Sequence, residues 1–187
     1  LEGYLSINVP GVVSAMCESH KLFGRMPLAD VLAPAIKLAK EGFSPHWHNL
    51  YAFGLLADML FKYEELGRIF MPKGTMPIGD KTNPALLKQP DLAQTMEYIA
   101  KEGSKGFYEG DIAAAIVKDI KKHGGVISRE DFATYKPFIW DKGMEVPYRD
   151  TIVRVPPHAT AGITTAMTLK LMDQFNFRSA GHNSEHA

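Results

Sequence analysis

Pro27-Leu28-Ala29-Asp30-Val31-Leu32-Ala33-Pro34-Ala35-Ile36-Lys37-Leu38-Ala39-Lys40-Glu41-Gly42 decides the fold. Leu28, Val31, Leu32, Ala35, Ile36 and Ala39 recur at the spacing of one helix face. Pro34 interrupts the pattern, so the helix either kinks or restarts there. Lys37, Lys40 and Gly42 mark its C-terminal end, where cations suit the free carbonyls and glycine suits the cap. Upstream, Val12 to Phe23 has the same period and closes at Gly24. Before it, Tyr4 to Val9 alternates apolar and polar residues and reads as a short strand ended by Pro10-Gly11.

Downstream, Pro45 to Phe70 reads as one long helix or two shorter ones, with Phe53, Leu56, Leu60 and Tyr63 able to share a face. Met71 to Gln89 is predicted as loop, because Pro72, Gly74, Pro77, Gly79 and Pro84 leave little room for regular structure. A loop beyond the usual ~12–15 residues is expected to pack over something else. Pro90 opens the next helix, with Leu92, Met96 and Ile99 inward, and Gly103 stops it. A turn through Phe107-Tyr108 leads to a helix near Asp111 to His123, ended by Gly124-Gly125. Ser128 with Asp131 has the spacing of a capping box opening a short helix. Two strands, Met144 to Tyr148 and Thr151 to Val155, are joined by Arg149-Asp150 and closed by Pro156-Pro157. A final helix runs from about Ala161 to Phe175, and the tail from Arg178 is polar. The chain is therefore expected to be mainly α with a few short strands, one region over 1–187. So little strand cannot make a sheet that supports an active site alone.

Composition narrows the function. Of 187 residues, 45% are hydrophobic and 22% charged, within the range of globular domains. Lys plus Arg equals Asp plus Glu at 21 each, which argues against nucleic-acid binding, where a basic excess is the rule. The short basic run from Lys118 to Lys122 ends a helix, where positive charge suits the dipole. The single Cys17 excludes an intrachain disulfide and a cysteine-based zinc site, and is expected to pack as a small apolar side chain. No apolar run approaches the ~18 residues of a membrane span. The chain opens Leu1-Glu2-Gly3-Tyr4 without an initiator Met, as a piece from inside a longer chain would. The compartment is left open by the sequence.

Literal motif matches yield no site. His182-Asn183-Ser184-Glu185-His186 fits the H-x-x-E-H pattern of some zinc proteases, yet a third ligand from a following helix is missing. His46-Trp47-His48 places two imidazoles at i and i+2, which do not share a helix face, so surface histidines are expected. Gly103-Ser104-Lys105-Gly106 is one residue short of a nucleophile elbow and follows a helix instead of a strand. No glycine pattern for a nucleotide or dinucleotide is present, and no cofactor is expected.

Several stretches, in order along the chain, carry a resemblance. They are Val9-Pro10-Gly11-Val12-Val13, Phe23-Gly24-Arg25-Met26-Pro27-Leu28 and Pro34-Ala35-Ile36 on to Gly42-Phe43. Further on come Pro90-Asp91-Leu92-Ala93 with Ile99-Ala100, Phe107-Tyr108-Glu109-Gly110, and Gly124-Gly125 through Asp131-Phe132-Ala133 to Tyr135. Together they resemble the large-subunit region of γ-glutamyltransferases. The resemblance implies the helical part of an αββα N-terminal-nucleophile hydrolase, made from a self-cleaving precursor. It also implies a Thr-bearing small subunit as partner and a γ-glutamyl or other amide as substrate.

In that family the nucleophilic Thr, a Ser pair and a Gly-Gly turn lie downstream of this region, and the Arg that grips the substrate carboxylate lies upstream. No catalytic residue is therefore carried over to this sequence, and the chain alone is expected to be inactive. Where transpeptidases of the family show a "PPPSSGG" stretch, this chain has Pro156-Pro157-His158-Ala159-Thr160-Ala161-Gly162. The missing Ser-Ser leaves an acylase or amidohydrolase relative open, and a non-catalytic helical interaction module is the alternative from another class.

Overall fold

The computed structural model describes residues 3–80, 82–157, 160–176, 179, 183 and 185. The chain divides into two compact units, Leu1–Pro137 and Phe138–Ala187.

The first unit is helical among its described residues. A 3-10 turn at Tyr4–Ser6 precedes α1 (Val12–Phe23), α2 (Leu28–Glu41), α3 (Trp47–Leu55), α4 (Ala57–Lys62), α5 (Glu64–Phe70), α6 (Pro90–Tyr108), α7 (Asp111–Lys122) and α8 (Arg129–Thr134). The opening alternation does not make a strand. The amide and hydroxyl of Ser6 both donate to the Gly3 carbonyl, at 3.0 and 2.7 Å, and this local turn takes groups that a ladder would need. Tyr4 instead stacks on the His123 ring at 4.3 Å and donates its hydroxyl to Asp119 Oδ2 at 3.1 Å.

Pro34 sits inside α2 without breaking it. It removes one intrahelical donor, and both Pro34 and Asp30, whose carbonyl loses that partner, are exposed, so water can take up the bond. The segment expected as one or two helices is three. Its breaks fall at Leu56 (φ −103°, ψ 12°) and Tyr63 (φ −108°, ψ 112°), neither of which is a helix-breaking residue type. Leu60 is buried and Phe53 packs on Phe70 at 5.4 Å, but Leu56 at the break turns to solvent.

The long loop after α5 does pack over another element. Phe43 and Leu87 exchange backbone hydrogen bonds of 3.2 and 2.9 Å, and the Gln89 amide donates to the Ala39 carbonyl at 2.8 Å. Leu87 is thereby buried against the end of α2. Gly103 splits α6 at φ 65° and ψ −155°, a conformation closed to residues with a Cβ. One further helical turn follows the break. It carries Phe107 and Tyr108, expected in a turn, into the core.

That core joins α6, α7 and α8 through Ile99, Phe107, Tyr108, Ala113, Val117, Ile120 and the fully buried Phe132. The Tyr108 ring stacks on Tyr135 at 5.5 Å and meets Phe132 at 6.1 Å. Its hydroxyl donates to the Pro10 carbonyl at 2.5 Å and accepts from the Ser14 amide at 3.1 Å. Helix α1 has only Gly11 at its N-cap, with no side chain to satisfy its free amides, so Tyr108 supplies that oxygen from across the core. Cys17 is half-buried against the same cluster.

The second unit holds an antiparallel hairpin of β1 (Met144–Tyr148) and β2 (Thr151–Val155) and the helix α9 (Gly162–Met172). Met144 pairs with Val155 and Tyr148 with Thr151. Arg149 turns the hairpin at φ 52° and lays its guanidinium over the Tyr148 ring at 5.1 Å. Val146 and Val155 pack on Ala166 of α9.

Three substitutions probe this architecture. Tyr108→Phe strands the Pro10 carbonyl and the Ser14 amide, and a loss of ~1–3 kcal/mol in urea unfolding is expected. Phe132→Ala empties the centre of the core and should cost ~3–5 kcal/mol by the same measurement. The capping box is the third. Ser128 Oγ accepts from the Asp131 amide at 3.2 Å while Asp131 Oδ2 accepts from the Ser128 amide at 2.8 Å.

The Ser128 amide, then its hydroxyl, holds the Asp131 carboxyl below its usual range. A carboxyl lowered by folding stabilises the fold above its unfolded pKa, and that contribution fades as pH falls through the folded value. Asp131→Ala should therefore lower the melting temperature at neutral pH. The gap to the unsubstituted protein should close in acid below pH ~4. A gap that stays constant down to pH ~3 contradicts this account.

Candidate functional site

Catalysis by acyl transfer needs a nucleophile within hydrogen-bond reach of a base. Several threonine hydroxyls are engaged by nearby backbone. Thr165 and Thr168 of α9 donate to the carbonyls of Ala161 and Thr164 at 2.8 and 2.9 Å, and Thr95 and Thr134 bond the carbonyls four residues back in α6 and α8. Thr160 Oγ1 accepts from the Gly162 amide at 3.1 Å, opening α9. Burial pushes the Cys17 thiol up, away from the thiolate a nucleophile requires.

The motif residues fall into place as follows. His46 is exposed and caps α3: its amide donates to Asn49 Oδ1 at 3.0 Å, and its Nδ1 faces the His48 amide at a long 3.5 Å. Ser104 follows the break in α6. Of the H-x-x-E-H stretch, His182, Ser184 and His186 lie outside the described residues, as do His158 and Ala159. Among the described residues no group of three His, Cys, Asp or Glu side chains could hold a metal ion.

Two features remain. The second unit carries an open groove of about 500 Å³, lined by Met144, Val146, Ile163, Ala166, Met167, Leu171, Lys170 and Gln174. It is apolar apart from the last two. The Lys170 ammonium is engaged by the Pro147 carbonyl at 3.2 Å and faces Asp173 at 3.8 Å. The other feature is the Tyr108 junction, where residues of separate motif stretches meet: Pro10-Gly11, Phe107-Tyr108, and Phe132 with Tyr135. Burial raises the Tyr108 phenol above its ordinary range against the opposing pull of the Ser14 amide, so it stays a neutral donor. Its chemistry is structural. Sequence reading passed over Tyr108 because Phe-Tyr before Glu-Gly looks like a turn. The signal that could have found it was the unmet need for a cap at Gly11.

Comparison with known proteins accounts for this convergence. The family model for gamma-glutamyltranspeptidase matches residues 1–187. The glutathione hydrolase proenzyme of Escherichia coli K12 is 31% identical over 192 aligned positions, covering 100% of this chain and 32% of that protein. Glutathione hydrolase 3 of Arabidopsis thaliana is 30% identical over 93% of this chain and 27% of its own length.

Among solved structures, the Helicobacter pylori γ-glutamyltranspeptidase superposes with a TM-score of 0.86 at 32% identity, over 98% of this chain and 52% of that one. A cephalosporin acylase from Bacillus halodurans superposes at 0.82 with 29% identity, over 94% and 33%. The chain thus spans less than a third of these curated relatives. No helix among the described residues is long and apolar enough to cross a membrane. With its whole length matched, the chain belongs to the γ-glutamyltranspeptidase family.

Proposed function

We propose that this chain is the helical lobe of a γ-glutamyltransferase-like N-terminal-nucleophile hydrolase and is inactive alone. The observation that carries this reading is a match over the full chain that covers only 27% and 32% of the two curated relatives. Within the described residues, meanwhile, the Thr165 and Thr168 hydroxyls of α9 are tied to their own helix. The parent protein then hydrolyses or transfers γ-glutamyl amides by way of a Thr ester.

The chemistry is balanced without a cofactor. The Thr hydroxyl adds to the amide carbonyl and its proton passes to the α-amino group, whose pKa of ~7.7–8.0 suits a base near neutrality. Backbone N–H groups hold the oxyanion. The C–N bond breaks, the leaving amine takes the proton, and water or an acceptor amine then cleaves the ester. The lobe's own part is architectural. Both of its units belong to one region of the parent, and the apolar groove beside α9 is a surface that the remaining polypeptide, including a Thr-bearing small subunit, can cover.

A second reading keeps the fold and changes the substrate to another amide. The likeness to a cephalosporin acylase supports it, as does the absence of the Ser-Ser pair between Pro157 and Gly162.

Hydrolysis of γ-glutamyl-p-nitroanilide by the 187-residue chain and by the full-length protein expressed from its gene tests the proposal. The expected result is a silent chain that binds a hydrophobic dye, beside a self-cleaved, active parent. A parent that cleaves itself but turns over only other amides selects the acylase reading. Activity in the chain itself would overturn both.

A further inference from the structure

Helix α9 carries three stripes of side chains, and one of them is covered. Gly162, Ala166 and Leu169, at i, i+4 and i+7, form the stripe against the hairpin, where Ala166 packs on Val146 and Val155. Gly162 and Ala166 are buried and Leu169 is half-buried. Ile163, Met167 and Leu171, at i, i+4 and i+8, form the wall of the apolar groove. Thr165, Thr168 and Met172 make a third stripe at i, i+3 and i+7. At about 100° of turn per residue, the three stripes lie roughly 120° apart. On the second stripe Met167 and Leu171 are 62 and 65% exposed, and on the third Met172 is 38% exposed.

Neither uncovered stripe carries a charge or a donor without an acceptor. The Thr165 and Thr168 hydroxyls donate to the Ala161 and Thr164 carbonyls at 2.8 and 2.9 Å. The one charged residue between Gly162 and Met172 is Lys170, whose ammonium is taken by the Pro147 carbonyl at 3.2 Å. A surface helix sets a polar side against an apolar one, whereas a helix without a polar side belongs in an interior. α9 is of the second kind, and a two-stranded hairpin is too small a partner to enclose it.

We propose that α9 is an interior helix of the full-length protein, enclosed on both of these stripes by polypeptide outside residues 1–187, with one further helix lying in the groove. The proposal builds on the reading of this chain as one lobe of a longer protein, since it matches only 27 and 32% of the lengths of the A. thaliana and E. coli relatives. Geometry favours that polypeptide over a second copy. A two-fold contact covers one patch, whereas stripes on different sides of α9 need cover from two directions. The groove favours a helix over a strand. Its floor is Met144 and Val146, and along its whole lining only Lys170 and Gln174 have polar side chains. A helix brings its own backbone hydrogen bonds, whereas a strand laid there would leave amides and carbonyls unpaired against an apolar surface.

Met167 and Met172 place a natural probe on each uncovered stripe, so the test needs no substitution. The ligand-free, full-length protein is oxidised with peroxide, folded and in urea, and each methionine is read by peptide mass spectrometry. Both are expected to form sulfoxide more slowly in the folded protein, by about tenfold or more. Photo-methionine incorporated at Met167 should cross-link to peptides of the same polypeptide outside residues 1–187, at sites three or four residues apart as on one helix face. A mixture of light and heavy isotope protein distinguishes these from links to a second copy. Oxidation of either methionine at its unfolded rate overturns the proposal. So do links to residues 1–137 or to a second copy, and protection that is lost on dilution. Sites at every second residue, as along a strand, overturn the helix in the groove. The same sample keeps this inference apart from the proposed reaction. A self-cleaved, active protein whose Met167 oxidises freely sinks the enclosure alone, while an inactive protein with both methionines protected sinks only the reaction.

Discussion

The hydroxyl of Tyr108 holds the first unit together at its least self-sufficient point. Helix α1 begins at Pro10-Gly11, a sequence that can bend the chain but has no side chain to cap it. The phenol answers from nearly a hundred residues away, taking the Ser14 amide and giving its proton to the Pro10 carbonyl. For it to arrive there, Gly103 must break α6, Phe132 must fill the space beneath the ring, and Tyr135 must lie flat against it. Gly11 is glycine for a related reason. A Cβ at that position would stand well inside van der Waals contact with the Tyr135 hydroxyl. One missing cap thus constrains three of the stretches by which the family is recognised, and the break at Gly103 besides.

This explains what could be read from the chain and what could not. Periodicity found the helices with one apolar stripe, α1, α2, α6 and α7, and cap chemistry found Pro90, Ser128 with Asp131, and the Arg149-Asp150 hairpin turn. Both signals are local. The breaks at Leu56 and Tyr63 carry no local signal, because neither residue type disfavours a helix. Tyr4 to Val9 showed the limit in the other direction. Its alternation was real, but a strand needs a partner, and Ser6 and Tyr4 had closer hydrogen bonds to make.

Function was legible in a different sense. Several of the residues carrying the family resemblance are a cap, a close approach and a ring stack, and these identify the fold. The motifs that imitated chemistry did so by composition alone. His46 proved to be an N-cap and Ser104 the residue after a helix break.

The hairpin of the second unit has two edges, and they are not equivalent. On β1, Pro147 has no N–H to give, and its carbonyl is already held by the Lys170 ammonium at 3.2 Å. β2, Thr151 to Val155, contains no proline. A strand arriving from elsewhere would find β1 closed at its fourth residue and β2 continuous. Growth of the sheet therefore has a direction, set by one ring and one amine.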